Sequence, residues 1–186
     1  PGANSPNVLL PQGLFYAGEL RAITQIRPKN EVYLLSHGKH RNFNTDSSNK
    51  KWSIDISYIF AKDGLKYLCA IKDMYDKSIV AHSISPFIDL KLVTETVEQA
   101  LVKVPYKQRQ NLILHSDQGS QFASKAFTEF CKENNVVQSM SKAGCPYDNA
   151  PMERFYNTLK NEYINLHYFK DDVSLENGLN EYIFGC

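Results

Sequence analysis

The chain has 186 residues, 42% of them apolar and 22% charged, with a formal net charge of +1. These values describe one globular domain of ordinary size and exclude a disordered or fibrous chain. A chain of this length buries about 70% of its unfolded surface, so it needs no disulfide or metal scaffold to fold.

No apolar run approaches the ~20 residues of a membrane span. The start, Pro1-Gly2-Ala3-Asn4-Ser5, has neither a basic nor an apolar signal character, so a cytoplasmic protein is expected. Cys69, Cys131, Cys145 and Cys186 form no Cys-x-x-Cys pair and read as free thiols. Residues 1–51 carry seven Lys/Arg against three Asp/Glu, and residues 1–50 show no sustained period. They read as a basic linker, suited to a solvated arm or to phosphate contact.

Ordered structure is expected from residue 51 onward. Trp52, Ile54, Ile56, Tyr58 and Phe60 recur with a period of two, which means a strand. Asp63-Gly64 signals a hairpin into a second strand over 66–71, and a third follows over 78–84. Asp89 caps a helix whose inward face is Leu90, Val93, Val97 and Leu101. A short buried strand over 112–114 runs into His115-Ser116-Asp117. Ser124 caps a second helix with Phe127, Phe130 and Cys131 inward, and Val136-Val137 makes a fifth strand. A long helix begins near Pro151, an allowed first-turn proline, and passes through Phe155, Leu159 and Tyr163. A last helix covers 174–183. The order βββαβαβα describes an α/β chain of ribonuclease-H type: a mixed five-stranded sheet, its first three strands antiparallel, flanked by helices.

Three carboxylates stand out. Asp55 lies mid-strand, where Asp is depleted. Asp117 follows a strand end, where ligands gather in such sheets. Glu153 opens the long helix, where the macrodipole favours a carboxylate. Each has an ordinary explanation as a solvent-facing, turn or helix-start residue. In this topology the first and fourth strands are neighbours and the long helix packs across their ends, so the three converge. Unaccompanied, they repel by about 4 kcal/mol per close pair. Oxygen-only ligands select Mg²⁺ or Mn²⁺, and two ions suit in-line displacement at phosphorus.

The segments Trp52-Ser53-Ile54-Asp55-Ile56-Ser57-Tyr58, His115 to Phe122 and Asp148-Asn149-Ala150-Pro151-Met152-Glu153-Arg154-Phe155, with 35 residues between Asp117 and Glu153, closely resemble the three blocks of bacterial insertion-sequence transposases. The nearest group is the insertion-sequence-three family, whose core is similar to retroviral integrases. The resemblance implies that Asp55, Asp117 and Glu153 are the catalytic, metal-binding triad. It places Lys160 against the DNA end, with Asn157 on the same helical face. It makes Arg154, Asn149, Gln121 and Ser120 candidate DNA-orienting residues. The implied activity is metal-dependent cleavage and joining of DNA by a homo-oligomer assembled on DNA, in the bacterial cytoplasm at the nucleoid. Residues 1–50 then read as a remnant of a DNA-binding region and 51–186 as the catalytic core. The chain stops at Cys186, short of the basic continuation such proteins have. A ribonuclease-H-like nuclease and an inactive DNA-binding fragment are the competing readings.

Overall fold

The computed structural model describes residues 45–62, 64–141 and 149–185, together with the backbone of 33–34. The strands are β1 (Tyr33–Leu34), β2 (Lys51–Ala61), β3 (Gly64–Asp73), β4 (Ile79–Ser85), β5 (Ile113–Ser116) and β6 (Val137–Met140). The helices are α1 (Leu90–Leu101), α2 (Tyr106–Arg109), α3 (Lys125–Glu133), α4 (Ala150–Glu162) and α5 (Asp172–Phe184). The sheet order is β1-β6-β5-β2-β3-β4. The antiparallel meander β2-β3-β4 is as expected from the sequence, and β2 pairs β5 in parallel, as does β5 with β6. The five expected strands give the ribonuclease-H-type architecture. The two-residue β1, parallel to β6, adds a sixth at the edge.

The sheet separates two apolar layers. Trp52, Ile54, Cys69, Ile71 and Leu114 pack with Val93, Val97, Phe122, Phe127 and Cys131 on one face. Ile59, Leu68 and Ala70 pack with Met152, Tyr156, Leu159, Leu175 and Leu179 on the other. The β2–β3 register pairs Ala61 with Gly64. Gly64 has φ +127, a conformation that side chains resist. Asp63 of the expected Asp-Gly turn lies outside the described residues, as do Cys145, Cys186 and most of 1–50.

The caps follow the sequence. Asp89 accepts from Leu92 N at 2.8 Å and Ser124 from Phe127 N at 3.1 Å. Each meets an orphan amide of a first helical turn. Details differ from expectation where packing overrides pattern. Leu90 is exposed, and α1 turns Leu92, Val93, Thr96, Val97, Ala100 and Leu101 inward. In α4 the inward row is Met152, Tyr156 and Leu159, while Phe155 and Tyr163 only flank it. The strand expected over 136–137 runs over Val137–Met140, because its polar Gln138 and Ser139 are hydrogen-bonded from within the protein.

Candidate active site

β2 pairs with β5 only through Lys51, Trp52 and Ser53. Beyond Ser53 that side of β2 has no strand partner among the described residues, and Asp55 lies just past this point. Asp117 follows the last residue of β5. Asp55, in the middle of β2, therefore lies beside the point where the shorter parallel strand β5 ends and Asp117 follows, and this end of β5 is where such a sheet holds its ligands.

The third arrives with α4. Pro151 occupies its first turn and Glu153 is the acidic residue there. Glu153 and Asn157 are exposed and Lys160 is half-buried. They form the row beside the inward row Met152, Tyr156 and Leu159, as a helical period requires.

Asp55 is half-buried, and its Oδ1 accepts from Ile56 N at 2.8 Å. Burial pushes its carboxyl from 3.8 up to about 7; the Ile56 N–H opposes this, and the charges of Asp117 and Glu153 add to it. The three carboxylates thus share one electrostatic field, and among the described residues no basic side chain figures in the shift at Asp55. Among the described residues, however, no three His, Cys, Asp or Glu side chains close into a ready metal cage. The donor set itself, oxygen-only and electronegative, fits a hard divalent cation.

Asp117 is exposed, and its Oδ1 accepts from Gly119 N at 2.9 Å. The Ser116 hydroxyl donates to the Asp117 carbonyl at 2.9 Å. A Cβ on Gly119 would stand 3.0 Å from Asp117 Oδ1 and 2.4 Å from Gln121 Nε2, so glycine keeps the loop tight against the carboxylate.

The other candidates separate by environment. Arg154 and Ser120 are exposed and Gln121 half-buried. The Ser120 hydroxyl lies 3.4 Å from Gln121 Oε1. Asn149 is buried, 7% exposed, and its Oδ1 accepts from the Ser53 hydroxyl at 2.7 Å, which makes it a brace between the start of α4 and β2. Lys160 Nζ sits 4.0 Å from the centroid of the Tyr58 ring. His115, buried beside Asp117, has Nδ1 and Nε2 each 3.1 Å from a serine hydroxyl, Ser139 and Ser141, a structural role. Arg154 acts on Lys72, whose ammonium is held below its ordinary range by burial, Lys77 and Arg154. A basic surface therefore adjoins Glu153.

Sequence reasoning missed Ser53 and Tyr156. The Tyr156 hydroxyl donates to the Asp55 carbonyl at 2.6 Å. The available signal was a phenol in an apolar row one turn beyond Glu153. A cleft of about 340 Å³, lined by His82, Gln99 and Asn180 among others, contains none of the three carboxylates.

Residues 45–146 match the integrase core domain. The chain is 38% identical over 141 residues to the transposase for insertion sequence element IS904 of Lactococcus lactis, covering 76% of this chain and 55% of that protein. It is 33% identical over 129 residues to the transposase InsF for insertion sequence IS3A of Escherichia coli, covering 69% and 44%. The chain thus spans about half the length of the curated relatives it matches. Among solved structures, a simian T-cell lymphotropic virus intasome in complex with PP2A regulatory subunit B56 gamma matches with TM-score 0.62 and 17% identity, over 83% of this chain and 51% of that one. The HTLV-2 integrase catalytic core domain in complex with magnesium matches with TM-score 0.57 and 19% identity, over 74% and 85%. These likenesses agree with the ribonuclease-H-like fold. By its sequence match and its transposase relatives, the chain belongs to the integrase core domain family.

Proposed function

We infer that this chain is the catalytic core of an insertion-sequence transposase that cuts and joins DNA. Asp55, Asp117 and Glu153 are its catalytic residues and the holders of divalent cations, Mg²⁺ or Mn²⁺ and two in number. The observation that carries this reading is the shared field at Asp55: a carboxyl raised to about 7 by burial and by the charges of Asp117 and Glu153. Such a cluster disfavours its own charge and is suited to a cation.

When bound, the ions supply activation of the attacking oxygen and charge stabilisation at phosphorus. The chain's own residues supply position. Asp55 is fixed by Ile56 N and by the Tyr156 hydroxyl on its carbonyl. Asp117 is fixed by Gly119 N. Arg154 and Lys72 offer positive charge to phosphates beside Glu153, where phosphate contacts set register without reading sequence. Lys160, Asn157, Gln121 and Ser120 line the DNA end, while Asn149 acts through Ser53. In the first reaction water attacks a phosphodiester at the element end and releases a 3′-hydroxyl. In the second that hydroxyl attacks a target phosphodiester and the target's own 3′-oxygen leaves. His115, with both ring nitrogens at serine hydroxyls, takes no proton in either.

The partners are the element ends and a target duplex, engaged by a homo-oligomer of this chain in the bacterial cytoplasm at the nucleoid. Residues 1–50 serve as a basic lead-in to the DNA. The test is a strand-joining assay with Mg²⁺ or Mn²⁺ on short duplexes carrying the element's terminal repeats. Joined products lost in Asp55→Asn, Asp117→Asn and Glu153→Gln support the reading. Cleavage of RNA–DNA hybrids without joining favours a ribonuclease-H-like nuclease instead, and DNA binding without chemistry favours an inactive fragment.

A further inference from the structure

Along the open edge of β2, outside the triad, lies an unusual concentration of exposed aromatic surface. Tyr58 is 53% and Phe60 74% exposed, and their rings meet edge to face at 5.5 Å. Both were expected to continue the buried alternation of Trp52, Ile54 and Ile56. They lie beyond the stretch of β2 that is paired with β5. Lys160 reaches from α4 to the Tyr58 ring at 4.0 Å. Two residues beyond Phe60, Lys62 lies 5.8 Å from the centroid of Tyr168, which is 75% exposed. Among the described residues neither lysine forms an ion pair.

We propose that Tyr58, Phe60 and Tyr168, with Lys160 and Lys62, form a stacking platform for unpaired nucleotides of the DNA strand that leaves the catalytic carboxylates. This rests on the transposase-core reading and adds to it a site for single-stranded DNA. Exposed aromatic faces interleaved with unneutralised cations are the chemistry that holds unpaired bases and their phosphates. Among these rings Tyr58 and Phe60 are in direct contact, and Tyr168 is joined to them through Lys62. The charge complementarity of Lys62 and Lys160 selects a polyanion over an apolar protein face. Tyr58 lies three residues along β2 from Asp55, about 10 Å at the rise of a strand and on the opposite face of the sheet, so a DNA strand passes between them round the open edge, a path of about three nucleotides or more at ~3.4 Å each. Tyr58 and Phe60 share one face of the strand and extend the track by about 7 Å, and Lys62 follows in the turn after β2. The open edge between Asp55 and Tyr58, around which Lys160 reaches, joins the track to the carboxylates.

The test uses the whole chain and two DNAs of equal duplex length, one blunt and one with a three-nucleotide unpaired flank carrying 2-aminopurine. The parent should prefer the flanked DNA by about tenfold, with quenching of the 2-aminopurine on binding. In Tyr58→Ala/Phe60→Ala that ratio should fall to about one and the quenching should vanish. Phe60→Trp, which keeps a stacking face, should retain both. Because Phe60 is so exposed, Phe60→Ala alone gives a second variant that folds, with an intermediate ratio expected. Blunt-duplex binding and joining by a parent that shows no preference for the flank would overturn the platform while leaving the transposase reading intact. A parent that binds neither DNA would overturn both. Concentration-dependent dimerisation lost in Tyr58→Ala/Phe60→Ala, with the flank preference retained, would overturn the proposal by making the patch an interface between copies.

Discussion

The Tyr156 hydroxyl donates to the main-chain carbonyl of Asp55 at 2.6 Å and lies 3.2 Å from that of Leu68. One phenol thereby joins α4, β2 and β3 at the residue that carries a candidate catalytic carboxylate. Tyr156 is buried on the inner face of α4 one turn after Glu153, so the bond also sets where Glu153 stands relative to Asp55. Burial, with the charges of Cys69 and Asp55 behind it, holds the phenol's proton on far above its ordinary range. It is a permanent donor.

Tyr156→Phe keeps the ring and removes only that donor. Leaving a buried carbonyl unsatisfied costs about 1–3 kcal/mol, which urea denaturation should read as a lower midpoint at unchanged slope. Strand joining should fall more than the folded fraction explains, and Tyr156→Leu should not restore it. Equal joining rates in parent and Tyr156→Phe would reduce the bond to packing.

A second expectation concerns pH. The Asp55 carboxyl keeps its proton to about pH 7 in the folded chain, against 3.8 ordinarily. The folded state therefore binds more protons between these values. The stability this contributes is complete below the ordinary value and is lost as pH rises through about 7. A shift of this size corresponds to about 4 kcal/mol. In EDTA, Asp55→Asn should match the parent near pH 4 and exceed it at pH 8. Asp117→Asn and Glu153→Gln should shrink the parent's slope, since both charges raise Asp55. Mg²⁺ at pH 8 should raise the parent's melting temperature and not that of Asp55→Asn. Parallel pH profiles for parent and Asp55→Asn would sink the argument.

The architecture was legible because period and punctuation agreed. The alternation from Trp52, the caps at Asp89 and Ser124, and Pro151 at the start of a long helix are local signals, and each has its expected structural counterpart. Where pairing geometry decides, the sequence was mute. The pattern through Tyr58 and Phe60 is that of a buried strand face, yet both are exposed, beyond the stretch of β2 that pairs with β5. Asp55, Asp117 and Glu153 stood out by residue type and spacing. The groups that hold them did not. Ser53 and Asn149 are 96 positions apart and Tyr156 and Asp55 are 101 apart, and no local pattern reports such partners.

The Ser53–Asn149 bond is the next to test. It is buried, 2.7 Å long, and it ties the start of α4 to β2 two residues before Asp55. Ser53→Ala and Asn149→Ala should each lower stability by about 1–3 kcal/mol, since each strands a buried polar partner. The double substitution should cost less than their sum, because neither group is then left facing an orphan. Strict additivity in denaturation would show that the contact carries no coupling. If Asn149 instead contacts DNA directly, Asn149→Ala should weaken DNA binding at full stability.

Gly119 offers a way to disturb one carboxylate without touching the core. It lies in the loop after β5, at ordinary backbone angles, so an alanine there meets no conformational barrier. Its Cβ would nevertheless stand 2.4 Å from Gln121 Nε2 and 3.0 Å from Asp117 Oδ1. The Gln121 amide is the tip of a flexible side chain and can swing away. Asp117 Oδ1 is held by Gly119 N itself, so it yields only by rotating out of that bond. Gly119→Ala should therefore change stability by less than about 1 kcal/mol, as surface substitutions usually do. With Asp117 catalytic as proposed, strand joining should drop about tenfold or more, since misplacing such a group by a fraction of an ångström is costly. Raising Mg²⁺ or Mn²⁺ should recover part of the loss, because a displaced ligand weakens ion affinity before it abolishes chemistry. Gln121→Ala in the same background should not restore activity, because it relieves only the cheaper of the two clashes. Should Gly119→Ala join strands at the parent's rate, the loop is looser than these distances imply and Asp117 is positioned by other means.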